Sequence, residues 1–349
     1  KKEMAFSFSA GLLGGILIGS SVVMHAKVLG RVTGMSGMLK KVTNIFRYTK
    51  KNEEKEGIPK LELYYIGGLI VGGGILAAIP QFRELAFHTK EVVETSMARS
   101  IIGGLILGLG TSYGCGCTSG HMICGLARLS KRSIIATATF CGVAFATINI
   151  GKTLDNNIID TALPVLRQSH FIEPNIGLMA TFTGALLTGY GLLYKYASGI
   201  HNKEKVKYLV ALYNGVVFAI GLGFSGMTKP ERVQGFFNML FSPKYYDATL
   251  FMVAGFAVLP ALIVFQTHIL KEIQDKKQPV CEESYCFPVS TKITPQLVIG
   301  SALFGLAWGL TGVCPGPLMV NLVNVQAYPQ VVVMILSTIA GMNIYSYFN

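Results

Sequence analysis

GGLILGLGTSYGCGCTSG, residues 103–120, is an apolar run that stops in a knot of glycines and cysteines. The pattern returns as GSALFGLAWGLTGVCPGP, residues 300–317, at an offset of 197 that puts Cys117 on Cys314. A second pair lies upstream in both copies: RVTGMSGML at 31–39 matches RVQGFFNML at 232–240, offset 201, sharing Arg, Val, Gly, Met and Leu. Two matches in the same order at nearly the same spacing mark an internal duplication. The expected division is a first repeat over 1–153, a linker loop with a connecting helix over 154–205, and a second repeat over 206–349.

The composition says where such a chain resides. Of 349 residues, 51% are hydrophobic and 14% charged, against about 25% charged in soluble domains. A helix needs about 20 apolar residues to cross the hydrocarbon layer. Nine segments qualify, near 5–29, 61–82, 98–113, 132–153, 174–197, 206–228, 246–270, 295–313 and 328–347, the third of them short. Four shorter elements, 31–46, 119–129, 230–242 and 315–326, accompany them. The fold class is therefore an all-α polytopic membrane protein of about nine transmembrane helices plus four short or re-entrant helices. Five crossings separate the halves, an odd number, so the two repeats are expected to be inverted; such repeats place a site near the midplane at interrupted helices.

The 40 glycines concentrate within the apolar segments, where small residues let helix backbones approach. The net charge of +12 comes from short loops with no aromatic-interleaved basic patch, so nucleic acid is not an expected partner. The loops 40–60, 128–132, 195–207 and 271–292 carry 18 of the 30 Lys and Arg, which orients the N-terminus outside and the C-terminus inside. The chain begins Lys1-Lys2 without an initiator methionine, consistent with processing or truncation. The expected setting is an integral membrane protein of an energy-transducing or plasma membrane, bacterial inner or mitochondrial inner.

Broken helices at membrane depth survive only when buried in protein or lining a cavity. Glycine and proline break both repeats at cysteines, in YGCGCTSGH (113–121) and TGVCPGP (311–317), and FSGMTKP (224–230) is a third break. Thr118 and Ser119 suit a helix cap after the first, Pro315 or Pro317 a first helical turn after the second.

Four chemistries compete for the thiols. Cys115, Cys117, His121 and Cys124 number enough for zinc, but they lack separated ligand pairs and the second repeat keeps one cysteine, so no metal is expected. Cys115 and Cys117 could form a dithiol, yet no carboxylate stands by His121 and no nucleotide loop appears, so neither an enzyme nor a cofactor is expected. Cysteine as a small buried hydrophobe fits Cys141 and Cys124, and fits Cys117 and Cys314 poorly. The fourth chemistry is recognition of an anion that contains soft sulfur. Neutral S–H groups would donate to it, with Cys115, Ser119, Thr118 and His121 as further contacts; a histidine bonded to a helix carbonyl is an equal reading of His121. Cys281 and Cys286, in CEESYC, would pair only in an oxidising space. Lys27 could attract anions at a vestibule or snorkel at the surface.

GCGCTSGHMICGLARLSKRS (114–133), GLGFSGMTKPERVQGF (221–236) and FGLAWGLTGVCPGP (304–317) resemble the signatures of the YeeE/YedE sulfur-transport family, over essentially the whole chain. The resemblance implies an hourglass pinched by loops from both sides, uptake of thiosulfate or a related reduced sulfur species, and thiols at the constriction that pass the anion by S–H···S contacts. That role falls on Cys117 and Cys314. The well-studied type has another cysteine near the end of the first helix, where this chain reads SSVVMHAKVLG (20–30), with Met24 or His25 in its place. In the branch most like this chain the two halves can be separate proteins. The competing expectation is a non-transporting accessory subunit of a larger membrane complex, with 47–60 and the CEESYC loop as docking surfaces.

Overall fold

The computed structural model describes residues 7–43, 58–87, 96–154, 175–238, 246–288 and 290–348. Among them the chain is helical, with one isolated β-bridge between Arg31 and Cys286. Helix α1 (Phe8–Leu29) starts at Ser7, whose hydroxyl accepts the Ala10 N–H, and stops at left-handed Gly30. Then come α2 (Met35–Thr43), α3 (Lys60–Ala78), α4 (Pro80–Ala86), α5 (Met97–Tyr113), a π-helix (Thr118–Gly125), α6 (Lys131–Leu154) and α7 (Ile176–Gly199). The remainder is α8 (Glu204–Phe224), α9 (Pro230–Phe237), α10 (Thr249–Val264), which runs through a π-turn into α11 (Leu270–Gln274), α12 (Pro295–Thr311), α13 (Pro315–Asn321) and α14 (Gln330–Phe348).

Eight helical stretches are long and apolar enough to cross a membrane, or nine when α5 and the π-helix count as one span bent by 43°. Every expected segment has its helix. The short third one, α5, has 17 residues, a length of about 26 Å, which falls short of the roughly 30 Å hydrocarbon layer. The bent continuation supplies the rest.

The duplication reappears as a packing rule. Helix α1 packs on α10 and α8 on α3; α5 packs on α14 and α12 on α6; α1 meets α8, and α5 meets α12. Exchanging α1 with α8, α3 with α10, α5 with α12 and α6 with α14 returns the same set of pairs. The short elements obey it too: the π-helix touches α6 and α10, and α13 touches α14 and α3. Only α7 stands outside the exchange, against α1 and α8. All of these principal pairs join one half to the other, so neither half encloses its own helices.

Small residues make the close pairs attainable. A Cβ on Gly300 of α12 would lie 2.0 Å from the Gly114 nitrogen, and one on Gly110 of α5 would lie 2.4 Å from the Phe304 nitrogen. These distances forbid any side chain without backbone movement.

The repeated Arg-Val motif has the same job in both halves. Arg31 Nη1 stands 3.4 Å from Glu62 Oε1, near the start of α3, and Arg232 Nη1 stands 3.2 Å from Asp247 Oδ2, just before α10. Each arginine ties the segment around a short helix to a carboxylate at the N-terminus of the next spanning helix, where negative charge is favoured. Glu62 also receives Lys41 at 2.9 Å.

At the end of α1, Lys27 pairs with Glu272. The CEESYC segment straps across the same end: the N–H groups of Cys281 and Cys286 donate to the carbonyls of Val28 and Gly30 at 2.8 and 2.7 Å. Both of these cysteines are free thiols, Cys281 buried and Cys286 exposed. The other suggested docking segment lies, over 47–57, outside the described residues.

Substituting Gly300 by alanine will lower the thermal unfolding temperature in detergent by an amount corresponding to about 1–3 kcal/mol. Gly142→Ala, where nothing lies within 4 Å of the new methyl, will leave it unchanged or raise it slightly. Equal losses in both would contradict the close α5–α12 packing.

Candidate functional site

Four helices that lead into short elements end through a left-handed residue. These are Gly30 (φ 63°) before α2, Cys115 (φ 55°) before the π-helix, Gly226 (φ 68°) before α9 and Gly312 (φ 68°) before α13. The 197 offset places Cys115 on Gly312. Three breaks use glycine, which adopts this conformation freely; the fourth uses cysteine, for which it is strained.

Two residues further on, Cys117 and Cys314 occupy matching places. Each is the residue immediately before the short helix, in extended conformation: φ −133°, ψ −167° for Cys117 and φ −124°, ψ 170° for Cys314. Neither short helix has a side-chain cap. The expected capping by Thr118 and Ser119 is therefore corrected: both residues lie inside the π-helix, and their hydroxyls point elsewhere. The second break follows expectation, with Pro315 in the first turn of α13, where its missing N–H leaves nothing unsatisfied.

The two breaks meet around one cavity of about 50 Å³, room for on the order of three to five water-sized groups. Cys117, Thr118 and Ser119 line it from one break, Gly312 and Cys314 from the other. Thr118 Oγ1 lies 3.4 Å from Cys314 Sγ, a polar contact between the halves. Ser119 Oγ lies 3.3 Å from Cys117 Sγ and accepts the Met35 N–H at 3.1 Å. With one lone pair given to Met35, the serine proton can point to the Cys117 sulfur, which leaves the thiol proton for a guest. The remaining wall is soft and apolar, including Met35, Met122, Met227 and Trp308.

The other sequence candidates lie off this lining. His121 donates from Nε2 to the Gly114 carbonyl at 2.9 Å and meets Ser133 Oγ through Nδ1 at 3.1 Å. Both ring nitrogens are used, so His121 staples the break closed from behind. Cys115 is exposed, its thiol directed to the Tyr113 carbonyl at 3.8 Å. Cys124 is buried and donates to the Thr33 carbonyl at 3.7 Å. The four side chains that crowd together in sequence thus turn to separate partners.

The lining methionines and Trp308 escaped the sequence reading, because their positions, 35, 122, 227 and 308, share no spacing. Each lies inside a quoted motif or break, yet an apolar residue there reads equally well as packing.

A family described as sulphur transport matches residues 2–146, and one described as a family of unknown function matches residues 206–349. A probable transporter of Xylella fastidiosa (strain Temecula1 / ATCC 700964) is 38% identical over 138 residues, which is 39% of this chain and 90% of that protein. One from strain 9a5c has the same identity and coverage. A further probable transporter of the Temecula1 strain is 34% identical over 125 residues, 35% of this chain and 78% of that protein. Each of these relatives matches well under half of this chain.

Cys115→Gly will raise thermal stability by about 1 kcal/mol by releasing the left-handed strain. Gly312→Ala will lower it, because the new methyl would also lie 2.4 Å from the Pro230 carbonyl oxygen. A stability loss in Cys115→Gly would contradict the equivalence of the two breaks.

Proposed function

Because the chain belongs to the YeeE/YedE sulphur-transport family, we propose that it carries thiosulfate or a related small sulfur-containing anion, handed through the constriction by the neutral thiols of Cys117 and Cys314. The observation that carries this reading is the single cavity touched by both thiols, one from each half. An integral membrane transporter of a soft anion must replace hydration without binding so tightly that release fails. A hydrogen bond to a charged group contributes about 1.5–3 kcal/mol, so two thiols and the hydroxyls of Thr118 and Ser119 can offset a useful share of the dehydration. Thiolates would repel the cargo. Soft S–H donors suit the sulfane end of thiosulfate, and the methionine wall suits its polarizability.

In this reading the first repeat, 1–153, and the second, 206–349, are inverted about the cavity. The N-terminus is outside and the C-terminus inside a bacterial inner, mitochondrial inner or plasma membrane. His121 holds the first break in shape, and Cys115 stands outside the constriction as a helper at the approach. Energy coupling needs no nucleotide in this scheme, since passage can follow the anion gradient.

One observation favours a second reading. Cys117 is only 1% exposed and the wall around it is largely apolar, the arrangement of a closed constriction. A chain that keeps the transporter architecture as an accessory subunit of a membrane assembly would show the same closure.

Uptake of radiolabelled thiosulfate into proteoliposomes separates the readings. The native chain will accumulate it, and Cys117→Ala and Cys314→Ala will each reduce the rate by about tenfold or more. Native rates in both variants would sink the thiol relay. No uptake by the native chain would leave the accessory-subunit reading.

A further inference from the structure

The cavity lining, among the described residues, contains no charged side chain. An anion held there rests on neutral donors alone, and charge compensation must come from its surroundings. A buried cation, Arg232, touches residues that are next in sequence to members of that lining. A Cβ on left-handed Gly226 would lie 2.5 Å from both Cδ and Nε of Arg232 and 3.2 Å from its Cζ, so the arginine side chain passes close against Gly226. Met227, Val233 and Leu250 all line the cavity, and each adjoins this group: Met227 follows Gly226, Val233 follows Arg232, and Leu250 follows Thr249, which Arg232 Nη1 reaches at 3.4 Å. Arg232 is 9% exposed and its partner Asp247 4%.

Asp247 has a second attachment. Its Oδ1 accepts the Thr249 N–H at 2.8 Å, while Oδ2 faces Arg232. The carboxylate is thus anchored at the start of α10 whether or not the arginine holds it. The corresponding Arg31 stands in a different setting, 36% exposed, sharing Glu62 with Lys41 and reaching Glu282 at 4.0 Å. The buried member of the pair belongs to the second half.

We propose that Arg232 is an anion-binding station beside the thiol constriction, and that the passing anion takes the place of Asp247 on its guanidinium. The proposal rests on the transport reading given above. The planar fork of arginine suits an oxyanion face, so the sulfonate end of the cargo would engage Arg232 while its soft end remains with the thiols. Asp247 then occupies the guanidinium whenever no anion is present, which keeps the buried cation paired throughout the cycle.

The alternative role, a purely structural clamp, predicts opposite kinetics. Asp247→Asn keeps the acceptor for Thr249 and removes the competing charge; if Arg232 binds the anion, the half-saturation concentration for thiosulfate uptake will fall. The double variant R232Q/D247N removes both charges of this pair together. It will unfold near the native temperature, yet its half-saturation concentration will rise roughly ten- to hundred-fold, with maximal rate less affected. A double variant with native half-saturation overturns the proposal, as does a raised value in Asp247→Asn, and the single variant decides if the double one fails to fold. Absence of uptake by the native chain overturns the transport reading and this proposal together. Native uptake with an unaltered double variant overturns this proposal alone.

Discussion

A backbone N–H or C=O that faces lipid without a partner costs several kcal/mol, yet four helices of this protein are interrupted. The structure resolves the conflict by giving the loose ends polar side chains from elsewhere in the bundle. Gln234 Nε2 donates to the carbonyls of Gly309 and Leu310 at the end of α12, at 3.3 and 3.1 Å. Asn321 serves Thr228 at 2.8 Å, Asn149 serves Phe237 at 2.8 Å, and His121 serves Gly114. Ser119 takes the Met35 N–H. The Asn149 bond to Phe237 runs between the halves, as do the principal helix pairs, while the other bonds close each half's breaks from within. Bonds mostly within each half therefore permit the breaks at membrane depth, and the interdigitated packing brings both thiols to one cavity.

The symmetry is incomplete, and its defects lie at the site. The first break enters a π-helix and the second an α-helix fixed by Pro315. The first spends strain on Cys115 where the second has Gly312. One arginine pair is buried and the other half open. Strain and exceptional backbone cluster where function needs a shape that packing alone would not select.

Much of this was legible in the residues. Glycine and proline inside apolar segments have few explanations in a membrane, so the breaks at 113–121 and 311–317 and the pairing of Cys117 with Cys314 could be read from spacing. The capping roles of Thr118 and Ser119 could not. A hydroxyl near a helix start can turn to its own first turn or to a neighbour, and Ser119 turns to Met35, 84 residues away in sequence. His121 was equally balanced for the same reason, since its Gly114 and Ser133 partners depend on how the break folds. The function of the repeated Arg-Val motif was hidden because its carboxylates, Glu62 and Asp247, follow at different separations.

The central claim is that both thiols contact the same anion. A structure determined with thiosulfate whose terminal sulfur is replaced by selenium tests it directly. The account predicts selenium density inside the cavity, in contact with both Cys117 Sγ and Cys314 Sγ. Density confined to a vestibule or to the lipid-facing surface, with the cavity unchanged, would contradict it.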